Sequence, residues 1–444
     1  MIPVSSTAQD YAGKRPNWLV ATVLFMFAYL MSFIDRQILS ILINPIKHDL
    51  NIDTTQFALL TGFAFSCIFG LIAFPMATQT DKRNRLPIIL VSIIVWSSAT
   101  VGCGFANSFA ELFVMRALVG AGEAALAPAM LSYLADYIEE RRLAGAIGAF
   151  SFGSFLGAGF SYLLGGYLLS LPGGSPLDGY EVWRVAFIAA GLPGYVIAVL
   201  IALFLRDPKR SAETRAMAAA RKIAAPRVSA IRVFRDRWQF FCMMMGGYTM
   251  LACVLYTLLG WSAALYFSRF QMPAEVVGRD VGICFALGGG CGALLSGAIA
   301  NRLYPRFRTA APYIVGAVSG LLAAGLVLGS LFAPSYGQSM VLLFFGTFFA
   351  AMSMPSENSS LQMAVEPELR GQFSAGLLFV NNVIGLSISS FLVGYLAQHV
   401  FADHGGILWG EAVVIGLCGI FGPLLVWRAC LRREHPVAGV AYAA

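Results

Sequence analysis

Twelve apolar runs, each of about the 20 residues or more that a helix needs to cross a bilayer, fill nearly the whole chain. They lie at 18–43, 55–79, 87–107, 109–135, 142–171, 184–206, 238–269, 279–303, 310–332, 338–364, 371–401 and 407–430. A chain divided this way has no room for a soluble domain. Only 12% of its residues are charged and 58% are hydrophobic, against roughly a quarter charged in soluble domains. The expected fold is therefore an all-α membrane protein with twelve transmembrane helices.

The basic residues fix the expected orientation. With the N-terminus in the cytoplasm, 24 of the 30 Lys and Arg fall in cytoplasmic segments, four (Lys47, Arg184, Arg269, Arg279) fall outside, and Arg36 and Arg116 lie within spans. That asymmetry is the positive-inside pattern, with both termini cytoplasmic. It also accounts for the net charge of +7 by basic loops at an anionic membrane face, so no nucleic-acid surface is needed. Lys14 and Arg15 precede a first run too long for a cleaved signal, which is therefore read as a retained span. The eight cysteines lie in or beside apolar stretches with no C-x-x-C pair; they read as small hydrophobes, with no metal site and no cofactor.

The longest polar stretch, Arg206 to Arg237, leaves six spans on each side. The two sides look related. Asp81-Lys82 after span 2 and Asn301-Arg302 after span 8 are 220 positions apart. "EERRLAGAIG" and "ELRGQFSAG", after spans 4 and 10, match at an offset near 229, and Pro128 and Pro355 stand 227 apart. Three matches at nearly one offset favour a duplicated unit related by an axis along the membrane normal. The expected domains are an N-terminal six-helix bundle (1–206), a basic cytoplasmic linker (207–237) and a C-terminal six-helix bundle (238–444).

The pattern resembles the major facilitator superfamily along the whole chain. The signature of that family between helices 2 and 3, G-x-L-A-D-R-x-G-R-[RK], appears as "ATQTDKRNRL" (Ala77 to Leu86). Asp81, Lys82 and Arg85 match; Ala77, Gln79, Thr80 and Asn84 depart. The helix 4 signature R-x-x-x-G-x-G is complete as "RALVGAG" (Arg116 to Gly122). Within the superfamily, the Asp35-Arg36 pair, "GEAALAPA" (Gly122 to Ala129) and "EPELRGQFSAGLLFVNNVIG" (Glu366 to Gly385) are most similar to the spinster-like branch. Asp-Arg and Gly-Glu-Ala also occur in organic-anion carriers of the superfamily. The resemblance implies alternating access between two pseudo-symmetric bundles, and the branch implies lysolipid or sphingosine-1-phosphate-like substrates.

Five ionisable residues are read well inside spans: Asp35, Arg36, Arg116, Glu123 and Glu357. Each costs roughly 2.5–3.5 kcal/mol near the bilayer centre on insertion scales, so such residues face a cavity or one another. Asp35 and Arg36 point about 100° apart and cannot pair side by side. Arg116 and Glu123, two turns apart, share a face. Helices 1 and 4 are neighbours in the implied fold, so a crossed network of Arg36 with Glu123 and Asp35 near Arg116 is expected. The competing reading is an ion-pair cluster that only holds the bundle together; for Arg116, a scaffold signature across the superfamily, the two readings stand level.

The functional expectation is a secondary transporter, not an enzyme: no nucleophile, nucleotide loop or His/Asp/Cys constellation appears. Arg36, Arg116, Glu123, Glu357, Phe33 and Tyr256 are the candidate substrate contacts, and Asp35 and Glu123 the candidate proton carriers. Asp81, Lys82 and Arg85 are candidate gating residues that latch helix ends. Tyr256, Trp261 and Tyr266 read either as interfacial anchors or as a wall touching an amphiphile. Asn381 and Asn382 read as interhelical hydrogen-bond donors, and His399, Asp403 and His404 as solvated loop residues. Because Glu357 is the charge read within the C-terminal spans, an amphiphilic or anionic lipid-like substrate is favoured over a proton-coupled small organic-acid or sugar-acid carrier. The chain is expected in a bacterial inner membrane as a monomer, with protons, substrate and lipid as its partners.

Overall fold

The computed structural model describes residues 18–80, 84–138, 140–171, 179–206, 230–366 and 369–433. Asp81 and Lys82, and most of the linker at 207–229, lie outside the described residues. Within them the chain is helical and contains no strand. Eleven helical stretches are long and apolar enough to cross a membrane. One of them, Ala274–Phe332, has 59 residues, roughly 90 Å of helix against a hydrocarbon core of about 30 Å. It turns at a 3-10 segment, Arg308–Ala310, where Arg308 has φ +47°. The turn divides the stretch into two helices, one ending at Phe307 and one running Ala311–Phe332.

Span 1 is Trp18–Ile41, span 3 Arg85–Cys103, span 5 Glu140–Leu169, span 6 Val182–Phe204, span 7 Trp238–Phe270, span 9 Ala311–Phe332 and span 12 Gly406–Arg432. The others are interrupted. Span 2 breaks at Gly62 (Thr54–Thr61, Phe63–Thr80), span 4 at residues 124–125 (Phe109–Glu123, Leu126–Tyr137) and span 10 at Met352 (Tyr336–Ala351, Ser353–Ala364). Span 8 (Ala274–Ile283, Cys284–Gly289, Gly290–Phe307) and span 11 (Arg370–Val380, Asn381–Ile388, Ser389–Tyr395, Leu396–Val400) carry π-helical segments.

Spans 4 and 10 are built alike. Ser108 caps span 4 by accepting from the Glu111 N–H, and Ser335 caps span 10 by accepting from the Gln338 N–H. Each satisfies one of the four free N–H groups that open a helix. The breaks at residues 124–125 and Met352, and then Pro128 and Pro355, follow at nearly the same spacing. The neighbours repeat as well: spans 3 and 6 pack together as do 9 and 12, and spans 3 and 4 as do 9 and 10.

Between the halves, span 2 packs on span 11 and span 5 on span 8. Lipid gives helices no hydrophobic reason to associate, so close packing of small residues and interhelical hydrogen bonds supply the attraction. Gly159 and Gly282 meet so closely that a Cβ on Gly282 would stand 2.7 Å from the Gly159 carbonyl oxygen. Thr61 and Ser390 hydroxyls are 2.7 Å apart, Ser66 bonds Ser387, and Tyr162 donates to the Leu259 carbonyl at 2.7 Å. Among the described residues these seams gather toward the end of the bundle that carries Lys47, Arg184, Arg269 and Arg279. Toward the opposite, basic end, a Cβ built on Gly297 or Gly376 meets nothing within 4 Å.

Candidate functional site

Arg36 on span 1 reaches Glu123 on span 4: its Nη2 lies 2.5 Å from Oε2. Glu123 is the last residue before the break in span 4, and its side chain is 1% exposed against 10% for Arg36. Three rings surround the guanidinium, with Phe65, Phe33 and Phe69 centroids at 4.4, 4.7 and 5.7 Å from Cζ. Tyr29, stacked on Phe150 of span 5 and edge-on to Phe33, extends this wall. A guanidinium over ring faces gains cation–π attraction in place of the water it has lost. Phe33 stands about one turn before Arg36 on span 1.

The second half of the crossed network, Asp35 near Arg116, is made through the main chain. Arg116 does not meet the Asp35 carboxylate; its Nη1 donates to the Asp35 backbone carbonyl at 3.0 Å and its Nη2 to the Arg36 carbonyl at 3.5 Å. Arg116 is completely buried, and it pins the backbone of span 1 to span 4. The Asp35 carboxylate instead turns to span 3 and accepts from the Thr100 hydroxyl at 3.1 Å. Its second oxygen, Oδ1, and the Glu123 Oε1 are buried with no partner among the described residues. The reason is geometric. Asp35 and Arg36 diverge around the helix, so span 4 receives one and span 3 the other.

On the C-terminal side, the Glu357 Oε1 accepts from the Asn381 amide at 2.9 Å, and the Asn381 carbonyl accepts from Thr249 at 2.8 Å. This chain links spans 10, 11 and 7. Tyr256 of span 7 is half-buried beside Gly385 of span 11. Asn382 bonds within its own helix, to the Leu378 carbonyl at 2.8 Å.

Other residues fall elsewhere. Trp261 and Tyr266 are neither interfacial nor on a substrate wall. Both are buried: the Trp261 Nε1 donates to Ser390 at 3.2 Å, and the Tyr266 hydroxyl pairs with Ser339 at 3.0 Å. Arg85 is buried and donates to the Ser132 carbonyl of span 4 at 2.9 Å. His399 stands 3.5 Å from Thr55. The reading that Glu357 alone charges the C-terminal spans fails. Glu411, five residues into span 12, is fully buried with neither carboxylate oxygen hydrogen-bonded among the described residues. Its position inside the last apolar run was the signal in the sequence.

Charged side chains on spans 1, 3 and 4 of one half and polar groups on spans 7, 10 and 11 of the other make up the site, and the family of the chain makes it that of a carrier, not an enzyme. The Major Facilitator Superfamily profile matches residues 25–390, and the chain belongs to that superfamily. It is 27% identical over 436 residues to an MFS-type efflux pump of Mycolicibacterium smegmatis, covering 96% of each chain. It is 25% identical to the cis,cis-muconate transport protein of Acinetobacter baylyi, over 92% of this chain and 94% of the other. In structure it is similar to a bacterial homolog of the human lysosomal transporter spinster, crystallised inward-facing and unoccupied. The TM-score is 0.80 at 22% identity, over 96% of this chain and 100% of that one.

Proposed function

We propose that this carrier is a proton-linked secondary active transporter of an amphiphilic, anionic organic molecule of the lysolipid or sphingolipid-like kind. The observation that carries the reading is Arg36: a cation walled by Phe33, Phe65 and Phe69 and still partly open. An anionic group on Arg36 with an apolar tail along the rings matches that surface. Glu123 already occupies the guanidinium, so an incoming anion competes with it. Protonation of Glu123 frees Arg36 for substrate, and Asp35, held by one hydroxyl, exchanges a second proton as span 1 shifts on span 3. Arg116 acts as scaffold in this scheme.

Residues 1–206 and 238–444 are the two bundles that rock against each other, joined by the basic linker 207–237. The seams at the charge-poor end support a form closed there and open toward the basic face. In this reading that face is cytoplasmic, the membrane is a bacterial inner membrane, and the working unit is a monomer. Asp81, Lys82 and Arg85 gate the cytoplasmic side.

A second reading has specific support. Thr249, Asn381 and Glu357 make the C-terminal wall polar, which suits a small organic acid, and one relative is named for muconate transport. Thermal stabilisation of the purified protein across lysolipids and sugar or dicarboxylic acids separates the two. The proton-linked amphiphile reading requires stabilisation by lysolipids and pH-driven flux of a labelled lysolipid in proteoliposomes. Stabilisation by small acids alone overturns it.

A further inference from the structure

Glu411 stands apart from the charged network of spans 1, 3 and 4. It lies five residues into span 12, about 7.5 Å from the helix start, with none of its surface exposed. Neither carboxylate oxygen has a hydrogen-bond donor among the described residues. A carboxylate stripped of water stays ionised only beside a cation or hydrogen-bond donors; without them it takes up a proton.

The titratable groups around it are committed elsewhere. Spans 7, 9 and 11 pack on span 12. On span 7, Arg269 donates to the Ala333 carbonyl at 2.7 Å and Tyr266 pairs with Ser339. On span 11, His399 stands against Thr55 of span 2 and against the Tyr395 ring. Span 9 carries Tyr313 near its opposite end. Across the seam, Tyr162 of span 5 gives its hydroxyl to the Leu259 carbonyl.

The packing beside Glu411 ties it to the closure between the halves. A Cβ on Gly410 would stand 2.8 Å from the Val393 carbonyl oxygen, so span 12 lies directly on span 11. A Cβ on Gly394 would stand 2.6 Å from the Ala58 Cβ and 3.0 Å from the Thr54 carbonyl oxygen of span 2. The turn at 393–397 is therefore clasped between span 12 and the opposite half. It runs into the π-helical segment Leu396–Val400, a winding that is frequent at functional sites.

We propose that Glu411 is a proton-binding site of the charge-poor end, separate from Asp35 and Glu123. It takes a proton from the water on that side as the end closes and returns it there as the end opens. When span 2 withdraws, the turn at 393–397 loses one wall and water gains a path to the carboxylate. Closure and protonation of Glu411 are then one equilibrium, and a rise in pH on that side favours opening.

The test uses the purified full-length protein in lipid vesicles. At about pH 8 its infrared spectrum should contain a neutral carboxylic-acid band that Glu411→Gln removes, because the closed form holds the proton. A band that the variant leaves untouched overturns the proposal. Closure is read by a benzophenone amino acid at position 55, photocrosslinked to span 11. Its yield should fall at least threefold from about pH 7 to about pH 9, and stay level in Glu411→Gln. Glu411→Leu, an apolar side chain of similar size, should behave as Glu411→Gln does. A yield that ignores pH in the unsubstituted chain, or falls equally in both variants, overturns the proposal. It rests on the reading of two halves that rock, but neither readout uses a substrate, so a wrong substrate class leaves both results standing.

Discussion

Arg36 and Glu123 join spans 1 and 4 at 2.5 Å, and both spans belong to the same half of the molecule. The contact therefore does not have to break when the two halves move. On the proposed reading it yields to a proton or a competing anion, as a coupling site must.

Because the pair is buried, stranding either member is costly, by about 3–5 kcal/mol in comparable sites. Glu123→Ala should lower the melting temperature of the purified protein clearly. The double variant Arg36→Met/Glu123→Leu should recover most of the loss. A single variant that melts with the wild type would show that the contact carries no stability.

Binding separates the same two residues. Arg36→Ala should weaken substrate binding tenfold or more, about 1.4 kcal/mol. Glu123→Gln should bind the anionic substrate at least as tightly as wild type, having removed the competitor, yet lose proton-driven flux. Weaker binding by Glu123→Gln, measured by calorimetry, would count against competition for Arg36.

Asp35→Asn keeps an oxygen for the Thr100 hydroxyl, so folding and binding should survive. What should vanish is the response of transport to an imposed pH gradient. An unaltered response in proteoliposomes would reduce Asp35 to a structural partner.

Arg116 spends its donors on two backbone carbonyls. Lysine cannot reproduce that fork. Arg116→Lys should lower thermal stability by a few kcal/mol, as buried charged networks do when disrupted, while the folded fraction keeps its substrate affinity. Lost affinity at unchanged stability would make Arg116 a binding residue instead.

Ser66 and Ser387 face each other across spans 2 and 11. The double variant Ser66→Cys/Ser387→Cys should crosslink under mild oxidation and stop transport, and reductant should restore it. Transport that persists in the crosslinked protein would exclude opening of this seam from the cycle.

Much of this was legible in the sequence because the bilayer imposes so few solutions. Run length gave the spans, and the Arg36–Glu123 contact followed from depth and neighbouring helices. Helical phase says which face a residue occupies but not what its side chain finds there. Hence Asp35 was expected near Arg116 and stands there, but it is its backbone carbonyl that receives the guanidinium, while its carboxylate goes to Thr100, one hydroxyl among many. Trp261 and Tyr266 have the composition of interfacial anchors, and only three-dimensional packing shows their polar atoms turned onto Ser390 and Ser339. Glu411 escaped because a charge near the start of an apolar run resembles a loop boundary, whereas the helix carries it into the core.

The grip of Arg116 on span 1 has a consequence for how such a carrier can diversify. Its partners are carbonyls of the main chain, which every residue type supplies. Positions 35 and 36 can thus exchange their side chains without releasing the clamp. The frame thereby keeps its hold on span 1 whatever side chains those two positions carry, and the cost of a change at position 36 is confined to the stranded Glu123.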